Sequence, residues 1–213
     1  MNDDFFNKLK EESKIYFEHV GGHGFDHVDR VYRNALKISK DESVDMDIVK
    51  AATLLHDVAR MTELKGEVSC HAEEGARMCK DILKKLNFPE EKIEAVSYAI
   101  SVHRYSSGIL PKTKEAEILQ DADRLDALGA ITIGRIFEFG GKKGRVSYDP
   151  TDDMDAEYNT KKGHSSITHF YRKILKITPN KFHTKKAKEI AKGRYDFVKE
   201  FVNRYVKEWN GEL

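Results

Sequence analysis

Cysteine and proline are scarce in this chain, and so is any imbalance of charge. Two cysteines, Cys70 and Cys79, among 213 residues exclude a disulfide framework and fit a reducing compartment. Four prolines, Pro89, Pro111, Pro150 and Pro179, leave long stretches in which nothing interrupts a helix. Lys and Arg number 37 against 36 Asp and Glu, so no global basic field draws the chain to nucleic acid or an anionic membrane. No apolar run reaches the roughly 18 residues of a membrane span. The opening Met1-Asn2-Asp3-Asp4 is acidic where a secretory signal would be basic. The expectation is a cytoplasmic protein with neither a membrane nor a nucleic acid as partner.

What is present is enough apolar material for a core, 39% of residues, with 34% charged. Histidine is the surplus: there are nine, more than proline and cysteine together. Histidine is the commonest protein metal ligand and the side chain that titrates near neutrality. Apolar residues recur at three and four rather than at two, which predicts an all-α protein. The spacing places helices over 3–19, 26–40, 46–60, 69–87, 90–104, 114–138 and 165–176. A last helix carries the stripe Ile190, Phe197, Val198, Phe201, Tyr205 and Trp209, read as closing the core from outside. With no repeat and no linker, the chain reads as a single domain over 1–213. Residues 139–163 lack helical period: Gly140, Gly141 and Gly144 alternate with Lys142, Lys143 and Arg145 before an acidic run. That segment is expected to be a long loop, either a solvated excursion or a phosphate-gathering lid.

The stretch Leu54-Leu55-His56-Asp57-Val58-Ala59 places an adjacent His and Asp at the end of an apolar run. A carboxylate there is costly to bury unless paired, hydrogen-bonded or metal-bound. Neighbouring helix positions point about 100° apart, so both side chains reach one ion only in a groove between helices. Other helices would then supply the remaining ligands. The candidates are His27, in Asp26-His27-Val28-Asp29-Arg30-Val31, and Asp123, in Gln120-Asp121-Ala122-Asp123-Arg124-Leu125-Asp126. Two imidazoles and two carboxylates form a mixed donor set suited to Mn²⁺, Fe²⁺, Co²⁺, Ni²⁺ or Mg²⁺.

His27, His56-Asp57 and Asp123, in that order, resemble the H…HD…D signature of the HD-domain metal-dependent phosphohydrolases. The surrounding phrases carry the resemblance further: His-x-x-Arg-Val at 27–31, Ala-Ala-x-Leu-Leu-His-Asp at 51–57, Asp-Ala-Asp-Arg-Leu-Asp-Ala-Leu-Gly-Ala at 121–130, and His-Phe-Tyr-x-Lys-Ile-Leu at 169–175. The likeness is to the small stand-alone bacterial and archaeal members, some of which act on nucleoside triphosphates. It implies an all-helical bundle, with signature core over about 23–130 and C-terminal helices over about 165–210. His27, His56, Asp57 and Asp123 would bind a divalent cation. His71 and His103 stand where that branch places further histidines. They would either hold a second cation bridged through Asp57 or donate hydrogen bonds to substrate phosphates. Arg30 and Arg60, each one turn from a ligand, would grip phosphate, with Asp57, His71, His103 and Arg30 as the catalytic set. His23 would shape its loop or meet substrate.

The chain also departs from its relatives. Some branches carry acidic residues three to five positions after the HD histidine, where this chain has Ala59, Arg60 and Met61. The Gly-Tyr-Pro of the cyclic-dinucleotide branch is missing after His103. A general acid could be Glu74, one turn from His71. Asp126 is read as orienting a ligand histidine, while His19, His164, His169 and His183 receive ordinary core or surface roles. Tyr and Phe could serve the core, base stacking or a homodimer face. The expected function is metal-dependent hydrolysis of a small phosphorylated substrate, a nucleotide, yielding pyrophosphate from a triphosphate or phosphate from a monoester. The competing readings are a metal or nucleotide sensor without turnover, and a helical scaffold with no site.

Overall fold

A computed structural model describes residues 1–17, 24–157 and 165–213, and these form α-helices, short 3₁₀ turns and connecting loops. The all-α expectation holds. The fold divides into two compact units, Met1–Arg124 and Leu125–Leu213.

The first unit opens with α1 (Asp3–Lys14), where the Asn2 side chain accepts the Phe5 amide at 3.0 Å. It continues with α2 (Phe25–Ile38), α3 (Met46–Leu55), the single turn α4 (Arg60–Leu64), α5 (His71–Lys85), α6 (Glu90–Ser101) and α7 (Lys114–Asp126). The helices α5 and α6 pack along each other, and α3 packs against α1, α2 and α6. Their shared core includes Val31, Ile38, Val49, Leu55, Leu83, Val96, Ile100 and Leu119, all fully buried. Two breaks depart from the helical spacing. The helix read over 46–60 stops at Leu55, and His56 through Ala59 form turns in which the Val58 amide bonds the Leu55 carbonyl and the Arg60 amide bonds the Asp57 carbonyl. His56 and Asp57 therefore sit on a corner and are freed from helical geometry.

The helix read over 114–138 breaks as well, between α7 and α8 (Ala130–Lys142). Gly129 makes that break with φ +91°, a backbone conformation that favours glycine, and an added Cβ would press on the Arg194 side chain at 3.2 Å. The second unit holds α8, α9 (Ser166–Arg172) and α10 (Lys185–Trp209). Phe137, Phe170, Phe201 and Tyr205 pack ring to ring there. The α10 stripe is corrected in detail: Ala187, Ala191, Val198 and Val202 are its buried residues, whereas Phe197 and Trp209 are about half exposed.

The long-loop expectation also changes. Phe139 through Lys142 belong to α8, and Gly140 is required because a Cβ there would collide with Ser166 Oγ. Beyond it, Ser166 and Ile167 donate their amides to the Val146 and Ser147 carbonyls at 3.0 and 2.9 Å. The buried Asp152 accepts from the Ser165 amide at 2.9 Å and the Thr168 hydroxyl at 2.6 Å. The stretch 146–153 is thus pinned to the start of α9; residues 158–163 lie outside the described residues.

Burial pushes the Asp152 carboxyl up, but the Thr168 and Ser165 hydrogen bonds outweigh it and hold the group below the ordinary carboxylate value. The ionised form is therefore the stabilising one: its contribution is complete above the ordinary value and is lost as pH falls through the lowered one. Asp152→Ala should cost about 1–3 kcal/mol at pH 7 through the unsatisfied partners left behind. Thermal melting of both proteins should show a gap that is constant near neutral pH and closes as pH falls below the ordinary carboxylate value of about 3.9; a gap independent of pH would contradict this role.

Candidate metal centre

Five elements of the first unit deliver six side chains to one place. His27 lies in the first turn of α2, His56 and Asp57 on the corner after α3, His71 at the start of α5, His103 just after α6, and Asp123 in α7. The Asn34 amide donates to the Ala122 carbonyl at 3.2 Å, tying α2 to α7 beside Asp123. The buried Gln120 amide donates to the Val102 carbonyl at 2.7 Å and the Ile109 carbonyl at 2.9 Å, fixing the His103 segment against α7. His27, His56, Asp57, His71 and His103 are all buried; Asp123 is partly exposed.

Asp57 is the hub. Its Oδ2 lies 3.7 Å from His27 Nε2 and 3.9 Å from His56 Nε2, while its Oδ1 lies 3.3 Å from His71 Nε2 and 3.6 Å from His103 Nε2. Asp123 Oδ1 is 3.3 Å from His27 Nε2. Two groups with metal-ligand spacing result, His27–His56–Asp57 and Asp57–His71–His103, and they share one carboxylate.

The outer ring nitrogens decide what the inner ones offer. His56 Nδ1 meets the Thr53 carbonyl at 2.8 Å, and His103 Nδ1 meets the Ile100 carbonyl at 2.6 Å. A carbonyl only accepts, so both Nδ1 atoms carry hydrogen, and in the neutral ring Nε2 presents a bare lone pair. His71 Nδ1 lies 2.8 Å from the Glu63 carboxylate, which imposes the same tautomer. Three lone pairs thus aim at a carboxylate, with His56 Nε2 also 3.3 Å from His27 Nε2. Facing acceptors are unfavourable without a positive charge between them, and this donor set fits a divalent cation.

Electrostatics agree. Burial lowers His56 to about 4 and lowers His71, in each case against the pull of Asp57, so both rings are neutral and available as ligands. Burial also acts to lower His103, but the Asp57 carboxylate beside it and the charge of Asp123 prevail and raise it. Burial pushes the Asp57 carboxyl up, yet His56, His103 and His27 hold it well below the usual range. The same balance, with His27 foremost, lowers Asp123.

The arginines and outer acids divide. Arg60 pairs with Glu63 and brings its Nη1 to 3.2 Å from His71 Nδ1, at the edge of the cluster. Arg30 lies one turn past His27 and holds Asp26 at 2.5 Å. The Glu74 carboxylate is chelated by Arg77 at 3.0 and 2.5 Å, which does not suit a general acid. Asp126 accepts from Arg135 at 2.9 Å within the second unit. His23, His19 and His164 lie outside the described residues. Sequence reasoning missed Glu63, seven residues past His56, because nothing in the spacing foretells that α4 turns back to His71.

Residues 24–128 match the HD domain family. The chain is 31% identical over 201 residues to the uncharacterized protein YpgQ of Bacillus subtilis, covering 92% of this chain and 89% of that one. It superposes on an HD-superfamily hydrolase of Bacillus thuringiensis with TM-score 0.77, 34% identity and 98% of each chain covered. This chain belongs to the HD-domain phosphohydrolase superfamily. The chain also superposes on the crystal structure of Bacillus subtilis YpgQ in complex with ADP, with TM-score 0.71, 25% identity in the superposition, and 96% and 95% of the two chains covered. No helix of the HD protein's described residues is long and apolar enough to cross a membrane.

A bound cation should stabilise the HD fold. At about 100 times its Kd one ion adds about 2.7 kcal/mol, so Mn²⁺ should raise the melting temperature of metal-stripped protein by roughly 5–10 °C. Asp57→Ala should melt without that increment, and an undiminished shift would show that the ion binds elsewhere.

Proposed function

We propose that this cytoplasmic HD protein is a single divalent-metal-dependent phosphohydrolase acting on a nucleotide, releasing pyrophosphate from a nucleoside triphosphate or phosphate from a monoester. The observation that carries the reading is the Asp57 carboxylate shared by two ligand groups whose imidazole lone pairs converge on it. His27, His56, Asp57 and Asp123 would hold one cation, Mn²⁺ being the first to test and Fe²⁺, Co²⁺, Ni²⁺ and Mg²⁺ the others. Such an ion, when bound, supplies an activated water and polarises a phosphoryl oxygen. His71 and His103 would either complete a second cation site or donate hydrogen bonds to substrate phosphates. Arg60, at the rim of the cluster, and Arg30, released from Asp26, would take phosphate oxygens in bidentate fashion. The ADP held by the YpgQ relative supports a nucleotide as substrate. His23 is retained as a proposed substrate contact.

A sensor without turnover is the second reading, and it draws on the engagement of Glu63 with His71, Arg60 and Arg104, which leaves that acid occupied. A nucleotide panel with Mn²⁺, Mg²⁺, Co²⁺ and Ni²⁺ in parallel, read for phosphate and pyrophosphate, decides between them. Hydrolysis should appear with at least one metal, and folded Asp57→Ala should lose about 10³-fold or more, corresponding to several kcal/mol of transition-state stabilisation. Metal-dependent stabilisation without turnover across the panel would favour the sensor.

A further inference from the structure

Glu63 is a carboxylate of α4 that the signature residues leave unassigned, and it is largely buried, with its side chain 15% exposed. Four groups meet it. His71 Nδ1 lies 2.8 Å from Oε2, and the His71 backbone amide donates to Oε1 at 3.4 Å. Arg60 pairs with Oε2, and Arg104 donates to Oε1 at 2.8 Å. Both carboxylate oxygens are thus engaged on the side of His71 that faces away from Asp57. The 3.2 Å approach of Arg60 Nη1 to His71 Nδ1 sets two donors side by side on one acceptor. The shorter contact, to an ionised oxygen, governs the ring.

His71 differs in this respect from its neighbours. His56 and His103 have Nδ1 fixed by backbone carbonyls of the preceding turn, at Thr53 and Ile100, so any sequence folding this way sets their tautomer. His71 is the first residue of α5, with no preceding turn of its own helix to accept from it. Its tautomer depends on a side chain supplied from eight residues upstream.

We infer that Glu63 is a positioning residue for the second ligand group: by accepting the His71 Nδ1 hydrogen while Arg60 and Arg104 hold it in place, it keeps the His71 Nε2 lone pair aimed at Asp57 and at a second cation. This rests on the metal-centre reading above. A carboxylate behind a ligand imidazole orients the ring and raises its basicity, and losing such a partner typically weakens metal binding 10–100-fold.

The test uses ¹⁵N-labelled full-length protein as wild type, Glu63→Ala, Glu63→Gln and Arg104→Ala, each first shown to be folded by its melting curve. Long-range ¹H–¹⁵N NMR of metal-free protein reads the His71 tautomer, with the resonance assigned from His71→Asn, and calorimetric Mn²⁺ titration reads ion number and affinity. Wild type should show hydrogen on His71 Nδ1 and take up two ions. Glu63→Ala should shift the ring toward the other tautomer and weaken the second ion by about 10–100-fold while sparing the first. The glutamine variant keeps an acceptor oxygen and should fall between. Arg104→Ala removes one of the two cations that hold Glu63 but leaves Arg60 and the acceptor, so it should keep the tautomer and weaken the second ion less than Glu63→Ala does. A folded Glu63→Ala protein with wild-type tautomer or wild-type second-ion affinity overturns the inference, as does a wild type that binds one ion only, which would leave single-ion hydrolysis standing. Two ions bound by wild type and the second weakened as predicted, with no turnover of any nucleotide, would instead overturn the hydrolase and leave the role of Glu63 intact.

Discussion

Asp57 is a buried carboxylate, 7% exposed, with four imidazoles around it. An isolated charge in such a place costs several kcal/mol, and removal of its partners leaves that cost uncompensated. The rings meet part of it, but three of them turn lone pairs rather than protons toward the carboxylate in their neutral forms. A divalent cation answers it directly. The polar centre of the first unit is therefore arranged for a species the chain itself does not supply, and the helices around it serve to hold that arrangement.

The fold meets this demand through interruptions. Ending α3 at Leu55 puts His56 and Asp57 on a corner, where adjacent residues serve a common centre without the divergence a continuous helix would impose. Starting α5 at His71 and ending α6 before His103 brings two more rings in from helix ends, the places where backbone direction changes most freely. Only His27 and Asp123 are delivered from within helices, and Asn34 bridges those two helices by a buried hydrogen bond. The apolar packing of α1, α3, α5 and α6 supplies the rigidity a preorganised site requires.

Much of this was legible in the residues. The apolar period gave the helices, and the carboxylate at the end of an apolar run pointed to His56-Asp57. The resemblance carried by His27, Asp123, His71 and His103 named the remaining cluster. What escaped was set by single-residue backbone events and by contacts between distant positions. A helix period continues smoothly through His56 because its apolar pattern does not register the break. The helical period runs on through Gly129, whose φ of +91° ends it before α8. Gly140 and Gly141 suggested a loop, yet they lie in a helix because Gly140 makes room for Ser166. Glu63 escaped because its partners, Arg104 and His71, are 41 and 8 residues away. Glu74, which its spacing from His71 offered as a general acid beside the plainer role of a solvated helix residue, is chelated by Arg77.

Anomalous diffraction from crystals grown with Mn²⁺, recorded at the manganese edge, locates the positive charge this arrangement calls for. The account predicts a peak within coordination distance of Asp57 that also meets the Nε2 atoms, and not Nδ1, of His27 and His56. A manganese peak remote from Asp57, or none in the first unit of an otherwise ordered crystal, would contradict it.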